Sequence, residues 1–402
     1  MDELERRLDE LREGGLLRSL RLVSGPQGPR VTLDGRAVLL LCSNNYLGLA
    51  DDPRVREAAA EAALRSGAGA GASRLVSGNM SAHAELEQAL AEFKGYERCV
   101  LFGSGYLANL GTIAALGGPG QVVLSDELNH ASIVDGCRLA RAETHVYRHA
   151  DLEHLEHELR RAAGRAALVV TDGVFSMDGD VAPLAGIVEL ARRHGARVMV
   201  DEAHATGAVG PGGRGTVAAA GLEDEVDVVV GTLGKALGSY GAYVLCGAAT
   251  AEWLVNRARS LIFSTALPPP AVGAAQAALE ILRTEPDRVG RLARNARALR
   301  EALAARGVAA GGPSTQITPV VVGDAEATVR ACERALEDGV FAQAIRPPTV
   351  PAGTSRLRLA AMGTHDTVEL SAAAATIADA VSPEGSSGYE GAPGPSTLAR
   401  AA

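Results

Sequence analysis

Two stretches of the sequence have the same design, Arg197-Val-Met-Val-Asp-Glu-Ala-His204 and Val226-Asp-Val-Val-Val-Gly-Thr-Leu-Gly-Lys235. Each begins as a short, mostly apolar run and ends in polar side chains or glycine. Apolar runs of this length are typical of strands that are buried on both faces of a parallel sheet. The two stretches therefore predict parallel strands that carry polar groups at their carboxyl ends.

The same pattern recurs through the middle of the chain. Further apolar runs of this kind occur at Cys99–Phe102, Val122–Ser125, Thr144–Tyr147, Ala167–Thr171 and Ala242–Cys246. Polar or glycine-rich turns and segments with helical spacing separate most of these runs. This alternation predicts an α/β fold, in which a large domain has a mostly parallel sheet with helices on both faces.

A smaller α+β domain is predicted after Pro268-Pro-Pro270. The predicted elements there are a long helical region over 271–307, a strand at Ile317–Val322, a helix at Ala325–Asp338, and strands around Ala344 and at Arg356–Ala360. The predicted boundaries are 1–45 for an N-terminal helix and arm, 46–285 for the large domain and 286–381 for the small domain. Residues 382–402 are rich in Gly, Ser and Pro and are predicted to be disordered.

Composition narrows the class of protein. The 402 residues are 47% hydrophobic and 22% charged, which is typical of a globular chain with more than one domain. The net charge of −9 argues against nucleic acid as a main partner. No apolar stretch approaches the ~20 residues that a membrane span needs. The five cysteines are scattered, and the charged N-terminus is unlike a signal peptide, so we expect a cytoplasmic protein with reduced thiols.

Lysine is almost absent from the chain. Lys94 and Lys235 are the only two lysines in the sequence. An ε-amine can lose its proton and form a Schiff base, which a guanidinium cannot do. Lys235 stands in a glycine-rich turn after an apolar run and is the better candidate for a reactive amine. Lys94 is predicted to be a surface charge at the polar end of an amphipathic helix.

Polar clusters follow several predicted strands. These clusters are Gly103–Tyr106, Asp126–His130, Asp172–Asp180, Asp201–His204 and Thr232–Lys235. Ligand sites in open parallel sheets lie beyond the carboxyl ends of the strands. We therefore expect histidines, carboxylates, a hydroxyl and Lys235 to meet at one edge of the sheet.

Other chemistries fit these residues less well. The turn at Lys235 is no P-loop, because Val229 stands six residues before the lysine and Ala236 follows it. His154, His157 and Glu158 are interpreted as one solvated helix face. Asp201 and His204 have no third ligand at a recognisable spacing, so no metal site is predicted.

One cofactor matches the whole set. Lys235 is suited to hold an aldehyde as an imine, and a buried carboxylate such as Asp201 is suited to keep a ring nitrogen protonated. The glycine turn at Gly103-Ser-Gly105 opens a predicted helix, whose N-terminus is a natural phosphate site. Together these groups predict pyridoxal 5'-phosphate.

The chain also resembles the α-oxoamine synthases, a family of pyridoxal phosphate enzymes with the aspartate-aminotransferase-like fold (fold type I). The resemblance covers roughly residues 10–380. It rests on Ser43-Asn-Asn-Tyr-Leu-Gly48, Gly71-Ala-Ser-Arg-Leu-Val-Ser-Gly-Asn79, Asp126-Glu-Leu-Asn-His-Ala-Ser132, Gly173-Val-Phe-Ser-Met-Asp-Gly-Asp180, Asp201-Glu-Ala-His204, Thr232-Leu-Gly-Lys235 and Arg346-Pro-Pro-Thr-Val-Pro351. Ala72–Asn79 and Ala344–Thr354 favour the branch that uses L-alanine and a pimeloyl thioester in biotin biosynthesis.

The resemblance implies a role for each matching residue. Lys235 forms the Schiff base and acts as the catalytic base, Asp201 pairs with the ring nitrogen, and His130 stacks on the ring and assists catalysis. The other implied cofactor contacts are the backbone amides of Gly105 and Tyr106, the side chains of Ser176, His204 and Thr232, and Thr265 from the other subunit. The implied substrate contacts are Arg18, Asn44, His130, Thr349 and Arg358.

The implied reaction joins L-alanine to a pimeloyl group with loss of carbon dioxide and release of the thiol. The resemblance implies a homodimer whose active sites lie at the subunit interface. The acyl carrier is left open between CoA and an acyl carrier protein. Two alternatives remain, which are another α-oxoamine synthase activity, such as acetyl transfer from acetyl-CoA to glycine, and a binding protein that keeps the fold without catalysis.

Overall fold

The computed structural model describes residues 2–162, 164–165, 167–310 and 315–382. The helices are α1 (Glu3–Glu13), α2 (Pro53–Ser66), α3 (Ser81–Lys94), α4 (Gly105–Leu116), α5 (Ala131–Ala140), α6 (Leu152–Arg161), α7 (Leu184–Arg193), α8 (Thr216–Ala220), α9 (Ala248–Arg257), α10 (Arg259–Ile262), α11 (Pro269–Thr284), α12 (Asp287–Ala304), α13 (Ala325–Glu337) and α14 (Thr367–Val381). Short 3-10 helices occur at Leu49–Asp51 and Pro211–Gly213.

The strands are β1 (Val23–Ser24), β2 (Arg30–Leu33), β3 (Arg36–Leu40), β4 (Arg98–Phe102), β5 (Val122–Asp126), β6 (Glu143–Tyr147), β7 (Ala167–Asp172), β8 (Arg197–Asp201), β9 (Val228–Thr232), β10 (Ala242–Cys246), β11 (Ile317–Gly323), β12 (Val340–Phe341), β13 (Gln343–Ile345) and β14 (Ser355–Ala360). Every apolar run that predicts a strand lies on one of them, with ends that agree to within two residues.

The large sheet has seven strands in the order β4-β10-β9-β8-β7-β5-β6. Strand β10 is antiparallel to both of its neighbours, and the other pairs are parallel. All six residues of β7 are buried, because helices cover both faces of the sheet. The carboxyl ends of β4, β5, β6, β7, β8 and β9 therefore lie at one edge. The predicted mostly parallel sheet is confirmed.

Two smaller sheets stand beside the large one. The first has the order β11-β14-β13 and is antiparallel, and the second has the order β1-β2-β3-β12. Strands β2 and β3 are joined at Asp34-Gly35, where both residues have positive φ (49° and 82°), as the tight hairpin turn requires. Helices α12, α13 and α14 supply apolar residues to the core that these sheets share.

Two details of the sequence prediction change. The helical region over 271–307 is two helices, because Pro286 has no N–H and α11 ends before it at Thr284. The strand predicted from Val226 begins at Val228, since the Asp227 carboxylate accepts a hydrogen bond from the Val198 amide at 2.7 Å. The domain boundaries at 45, 285 and 381 stay a prediction, and the predicted tail lies outside the described residues except for Ser382.

Candidate active site

A cavity of about 190 Å3 lies at the carboxyl edge of the large sheet. Its walls come from the strand ends and from the first turns of α4 and α5. The lining residues are Gly105, Tyr106, Asn109, His130, Ser132, Asp172, Val174, Asp201, Ala203, His204, Thr232 and Lys235. Seven of these are residues that the sequence predicts for the site. The shared edge of parallel strands thus brings together groups that are up to 130 positions apart in the chain.

Lys235 lies in the turn after β9, with its amine in the cavity. The turn closes through a hydrogen bond from the Gly238 amide to the Lys235 carbonyl, and Gly238 has a φ of +61°. A Cβ at this position would lie 2.3 Å from the nitrogen of Ala50, so the turn requires glycine. Burial lowers the pKa of Lys235 to about 8, although Asp201 opposes the change. A minor fraction of the amine, larger than for an ordinary lysine, is therefore uncharged near neutral pH, and the uncharged form reacts with an aldehyde.

His204 connects the lysine to a tyrosine. Its Nε2 lies 2.7 Å from Lys235 Nζ, and its Nδ1 lies 2.6 Å from the Tyr46 hydroxyl oxygen. Burial, followed by the charge of Lys235, lowers the pKa of His204 well below its ordinary value, so the ring is neutral. A protonated Lys235 only donates, and Nε2 of the neutral ring is therefore the acceptor. The tautomer with Nδ1–H donating to Tyr46 leaves Nε2 as an acceptor that faces the cavity.

Arg358, on β14, continues this network from the small sheet. It donates from Nη2 to the Tyr46 hydroxyl and from Nη1 to Asn44 Oδ1, both at 3.3 Å, and from Nε to the Ser176 carbonyl at 2.5 Å. Arg358 is buried, and it has no carboxylate partner among the ion pairs of the described residues. A buried guanidinium without a counter-ion is suited to receive a carboxylate from a substrate.

Asp201 ends β8 as a buried carboxylate. Its Oδ2 accepts from Asn109 Nδ2 at 2.6 Å, and its Oδ1 accepts from the Ala203 amide at 2.8 Å. Asp172 stands beside it in register on β7. Burial, and then the charge of Asp201, raise the pKa of Asp172 well above its ordinary value, which favours the protonated form of Asp172. Asp201, by contrast, has an N–H donor on each of its two carboxylate oxygens.

An anion-binding turn opens α4. The Ser104 hydroxyl accepts from the Leu107 amide and caps the helix, while the amides of Gly105 and Tyr106 have no acceptor within the described residues. Apart from its chain neighbours and the backbone of its own helix, no described atom lies within 4 Å of where a Cβ on Gly105 would stand. Free amides, the positive end of the helix dipole and open space together suit a phosphate. Thr232, at the end of β9, also lines this cavity.

Two further arginines lie where the N-terminal arm crosses the loop after β13. Arg18 Nη2 donates to the Pro347 carbonyl at 3.0 Å, and Arg346 Nη2 donates to the Leu17 carbonyl at 2.5 Å. The Nε of Arg346 is buried and has no acceptor within the described residues. Burial, and then the charge of Arg18, lower the pKa of Arg346. Thr349 is exposed in the same loop, and its amide donates to the Arg346 carbonyl.

Thr265, a predicted cofactor residue, does not line the cavity of a single chain. It pairs with Ser73 through an isolated backbone bridge and lines a separate crevice together with Gly103. Ser176 also lies outside the wall of the cavity, and its carbonyl instead orients Arg358.

Comparison with known proteins shows which family the chain belongs to. The family model "Aminotransferase class I and II" matches residues 36–377. An 8-amino-7-oxononanoate synthase from Geobacter sulfurreducens is 55% identical over 375 residues, which cover 92% of this chain and 96% of the relative. A synthase of the same name from Symbiobacterium thermophilum is 48% identical and covers 94% and 97%.

The chain belongs to the 8-amino-7-oxononanoate synthase family. This confirms the resemblance to the α-oxoamine synthases, and the chain is a pyridoxal-phosphate-dependent acyltransferase. Solved structures agree on the fold. A serine palmitoyltransferase from S. paucimobilis, with pyridoxal phosphate and myriocin bound, has a TM-score of 0.89 at 36% identity over 94% of this chain and 96% of the other. An 8-amino-7-oxononanoate synthase from Francisella tularensis has a TM-score of 0.74 at 26% identity over 86% and 98%.

The cavity of this synthase-family chain fits the cofactor. Lys235 offers an amine with a lowered pKa for the aldehyde, and Asp201 offers a carboxylate for the ring nitrogen. The acceptor nitrogen of His204 suits the ring hydroxyl, and His130 presents an exposed imidazole on the cavity wall. The open first turn at Gly105 suits the phosphate.

Sequence reasoning missed several residues of the cavity and its surroundings and misplaced one lysine. Tyr46, Ser132, Asp172 and Arg346 lie within motifs or polar clusters of the sequence that were given no role at these positions, and no local signal marked Asn109. The prediction that Lys94 is a surface charge is wrong, because its side chain is 2% exposed and pairs with Glu202. Helical spacing placed Lys94 at the end of α3, but the end of that helix is covered by the turn after β8.

The predicted solvated face on α6 is only partly correct. His157 is exposed, whereas Glu158 is buried and lies 2.9 Å from His145 Nδ1. Within the described residues no group of three or more histidine, cysteine, aspartate or glutamate side chains is arranged to hold a metal ion. Those residues also contain no helix long and apolar enough to cross a membrane.

Proposed function

We propose that this chain condenses L-alanine with a pimeloyl thioester and releases 8-amino-7-oxononanoate, carbon dioxide and the free thiol, as a step of biotin biosynthesis. The names of its relatives support the product, and the cavity supports the chemistry. The role given to each residue is part of this proposal.

Two buried arginines without a charged partner among the described residues support the choice of substrates. Arg358 and Arg346 are buried guanidinium groups on β14 and just after β13, and the ion pairs of the described residues include neither of them. Alanine brings one carboxylate, and the pimeloyl chain brings a second at its far end. Two unpaired arginines match two carboxylates, whereas glycine and an acetyl group bring only one.

When bound, pyridoxal phosphate supplies an aldehyde that condenses with amines and a cationic ring that withdraws electrons from the α-carbon. Asp201 would keep the ring nitrogen protonated, and Asn109 orients Asp201 through its 2.6 Å hydrogen bond. His130 would hold the ring by stacking on it, and Ser132 fixes His130 through its 2.7 Å contact with Nδ1.

Lys235 and Arg358 have separate roles toward alanine. Arg358, together with Asn44, holds the carboxylate, and this sets which bond of the α-carbon is positioned to break. The Nζ of Lys235 removes the α-proton, a role that suits an amine whose pKa is about 8. The α-carbon then attacks the thioester carbonyl, the C–S bond breaks, and the sulfur leaves as a thiolate that takes a proton from solvent.

His130 and Lys235 complete the reaction. His130 donates a hydrogen bond to the thioester oxygen and then to the β-keto oxygen, where negative charge develops. The β-keto acid loses carbon dioxide, and Lys235 returns a proton to the α-carbon. Arg346 and Arg18 bind the terminal carboxylate of the acyl chain beside Thr349.

Turnover with two substrate pairs tests the proposal. We expect thiol release with L-alanine and pimeloyl-CoA to exceed release with glycine and acetyl-CoA. The substitution Lys235→Ala removes the base and is expected to reduce the rate by about 1,000-fold. Borohydride is expected to attach the cofactor covalently to the unaltered protein and not to this variant.

Faster turnover of glycine and acetyl-CoA would assign the alternative activity within the family. A Lys235→Ala variant that keeps the full rate and the borohydride adduct would refute the assignment of the lysine. A parallel assay with a pimeloyl-acyl carrier protein measures which carrier the enzyme prefers.

A further inference from the structure

Lys94, one of the two lysines of the chain, lies in a buried site that provides an acceptor for each of its N–H groups. Lys94 is the last residue of α3, and its side chain is 2% exposed. Its Nζ donates to the Glu202 carboxylate, to Thr206 Oγ1 at 3.2 Å and to the Arg214 carbonyl. An ammonium has three N–H groups, and each of them has an acceptor here.

The carboxylate of Glu202 likewise has a hydrogen-bond donor on each of its oxygens. Its side chain is 0% exposed, and one oxygen takes the bond from Lys94. The other oxygen accepts from the Thr216 hydroxyl at 2.9 Å and from the Val217 amide at 2.8 Å, in the first turn of α8. The pair therefore ties the ends of α3 and β8 to the start of α8.

The turn that carries Glu202 has two faces. On one face Asp201 and His204 line the cofactor cavity. On the other face Glu202 and Thr206 point to Lys94. The amides of Ala205 and Thr206 both donate to the Glu202 carbonyl at 2.9 Å, so the turn is one rigid unit. A shift of Glu202 therefore moves Asp201 and His204 with it.

We propose that Lys94 and Glu202 are positioning residues, which set where Asp201 and His204 meet the cofactor. This proposal rests on the cofactor roles of Asp201 and His204 given under the proposed function. Buried ion pairs add little net stability compared with apolar side chains, so specific placement is a better reason for this pair than stability.

The shape of the site also accounts for lysine at this position. A guanidinium has five N–H groups in a planar fork, and the site offers three acceptors to a tetrahedral ammonium. Arginine at position 94 would leave buried donors without partners. A positive charge at position 94 is therefore not sufficient, and the side chain must also match the three acceptors. This explains a lysine here in a chain where arginine supplies nearly all other positive charge.

Substitution of both partners tests the proposal in the holoenzyme. The double variant Lys94→Met/Glu202→Gln removes the ion pair without leaving a buried charge, and Lys94→Met alone is the comparison in which Glu202 stays uncompensated. We expect the double variant to bind pyridoxal phosphate at least about tenfold more weakly. We also expect the pH midpoint of the bound cofactor's absorbance change to shift. The variant Asp201→Asn gives the reference size for both effects.

A matched control separates positioning from stability. Glu158→Gln alters another buried carboxylate, which pairs with His145 on the outer edge of the sheet and does not line the cavity. We expect this control to lower the melting temperature while cofactor affinity and the pH midpoint stay unchanged. If Lys94→Met/Glu202→Gln behaves in the same way, the pair is only structural and the proposal is overturned.

These measurements are independent of the acyl substrate. Failure of the alanine and pimeloyl-CoA assay in the unaltered protein would therefore reject the proposed reaction and leave the cofactor readouts intact. If Asp201→Asn changes neither affinity nor the pH midpoint, the role of Asp201 is wrong, and the positioning proposal falls with it.

Discussion

At the scale of single residues, the charges of buried arginines are the feature most useful for predicting specificity. Most arginines that the structure describes with ion pairs lie near the surface, where such pairs add little. Arg346 is different, because it is buried, bonds to a backbone carbonyl and keeps an Nε without an acceptor among the described residues. A carboxylate is the natural ligand for such a group.

The first prediction concerns the terminal carboxylate of the acyl chain. We expect Arg346→Gln to raise KM for pimeloyl-CoA by about 10- to 100-fold, since a hydrogen bond to a charged group contributes roughly 1.5–3 kcal/mol. Heptanoyl-CoA has the same chain length without the carboxylate, and its slower turnover should not change with the substitution. An equal loss for both thioesters would show that Arg346 does not recognise the carboxylate.

At the scale of elements, one histidine joins three segments around the site. His149 follows β6, and its Nδ1 lies 3.0 Å from Asp126 Oδ1 at the end of β5. Its Nε2 lies 2.7 Å from Asp180 Oδ2, in the loop after β7 that also carries Ser176. Burial by itself lowers the pKa of His149, but the hydrogen bonds and charges of the two aspartates outweigh it and raise the pKa to about 10.

The second prediction concerns the pH dependence of stability. Because the folded-state pKa of about 10 lies above the unfolded value near 6.5, the stabilisation is fully present below pH 6.5 and is lost as the pH rises toward 10. We expect His149→Gln to lower the free energy of unfolding by on the order of 2 kcal/mol at pH 6, and by much less at pH 10.

Thermal unfolding of both proteins across this pH range measures the difference. His157→Gln, at an exposed position on α6, is the control and should follow the unaltered protein at every pH. A deficit for His149→Gln that stays constant from pH 6 to pH 10 would refute the charged bridge.

At the scale of the whole molecule, the surface near Thr265 suggests how two chains meet. Thr265 lies beside Ser73, outside the cavity of its own chain. The neighbouring side chains of Val76 and Phe263 are 78% and 70% exposed. Exposed apolar groups of this size favour a covered surface. We propose a homodimer in which Thr265 reaches the phosphate site of the partner subunit.

The third prediction is that activity returns when two impaired proteins are mixed. Lys235→Ala lacks the base, and Thr265→Val lacks the hydroxyl that the other subunit receives. If Thr265 acts across the interface, a mixed dimer has one intact site, and subunit exchange in an equal mixture should restore about one quarter of the unaltered activity. No gain above the sum of the separate variants would place Thr265 in the site of its own chain.

The sequence alone predicted the strand pattern and many of the groups in the cavity. Apolar runs and glycine turns depend on neighbouring residues, so β8, β9 and the turn at Lys235 follow from local chemistry. The position of Asp201 at a strand end also follows, because parallel strands end at one edge of the sheet. Tyr46 and Asn109 could not be assigned in this way, since their bonds to His204 and Asp201 depend on segments far away in the chain.

The two lysines show which features can be predicted from residues that are neighbours in the sequence and which cannot. The sequence by itself determined that Lys235 follows a buried strand in a glycine turn, and this was enough to predict a reactive amine. Only the tertiary structure decided the environment of Lys94, whose partner Glu202 is 108 positions away. Helical spacing reports which side of a helix faces the core, but packing between distant segments determines what covers its end. The burial of the Lys94 side chain and the identity of its oppositely charged partner are therefore decided only in the folded chain.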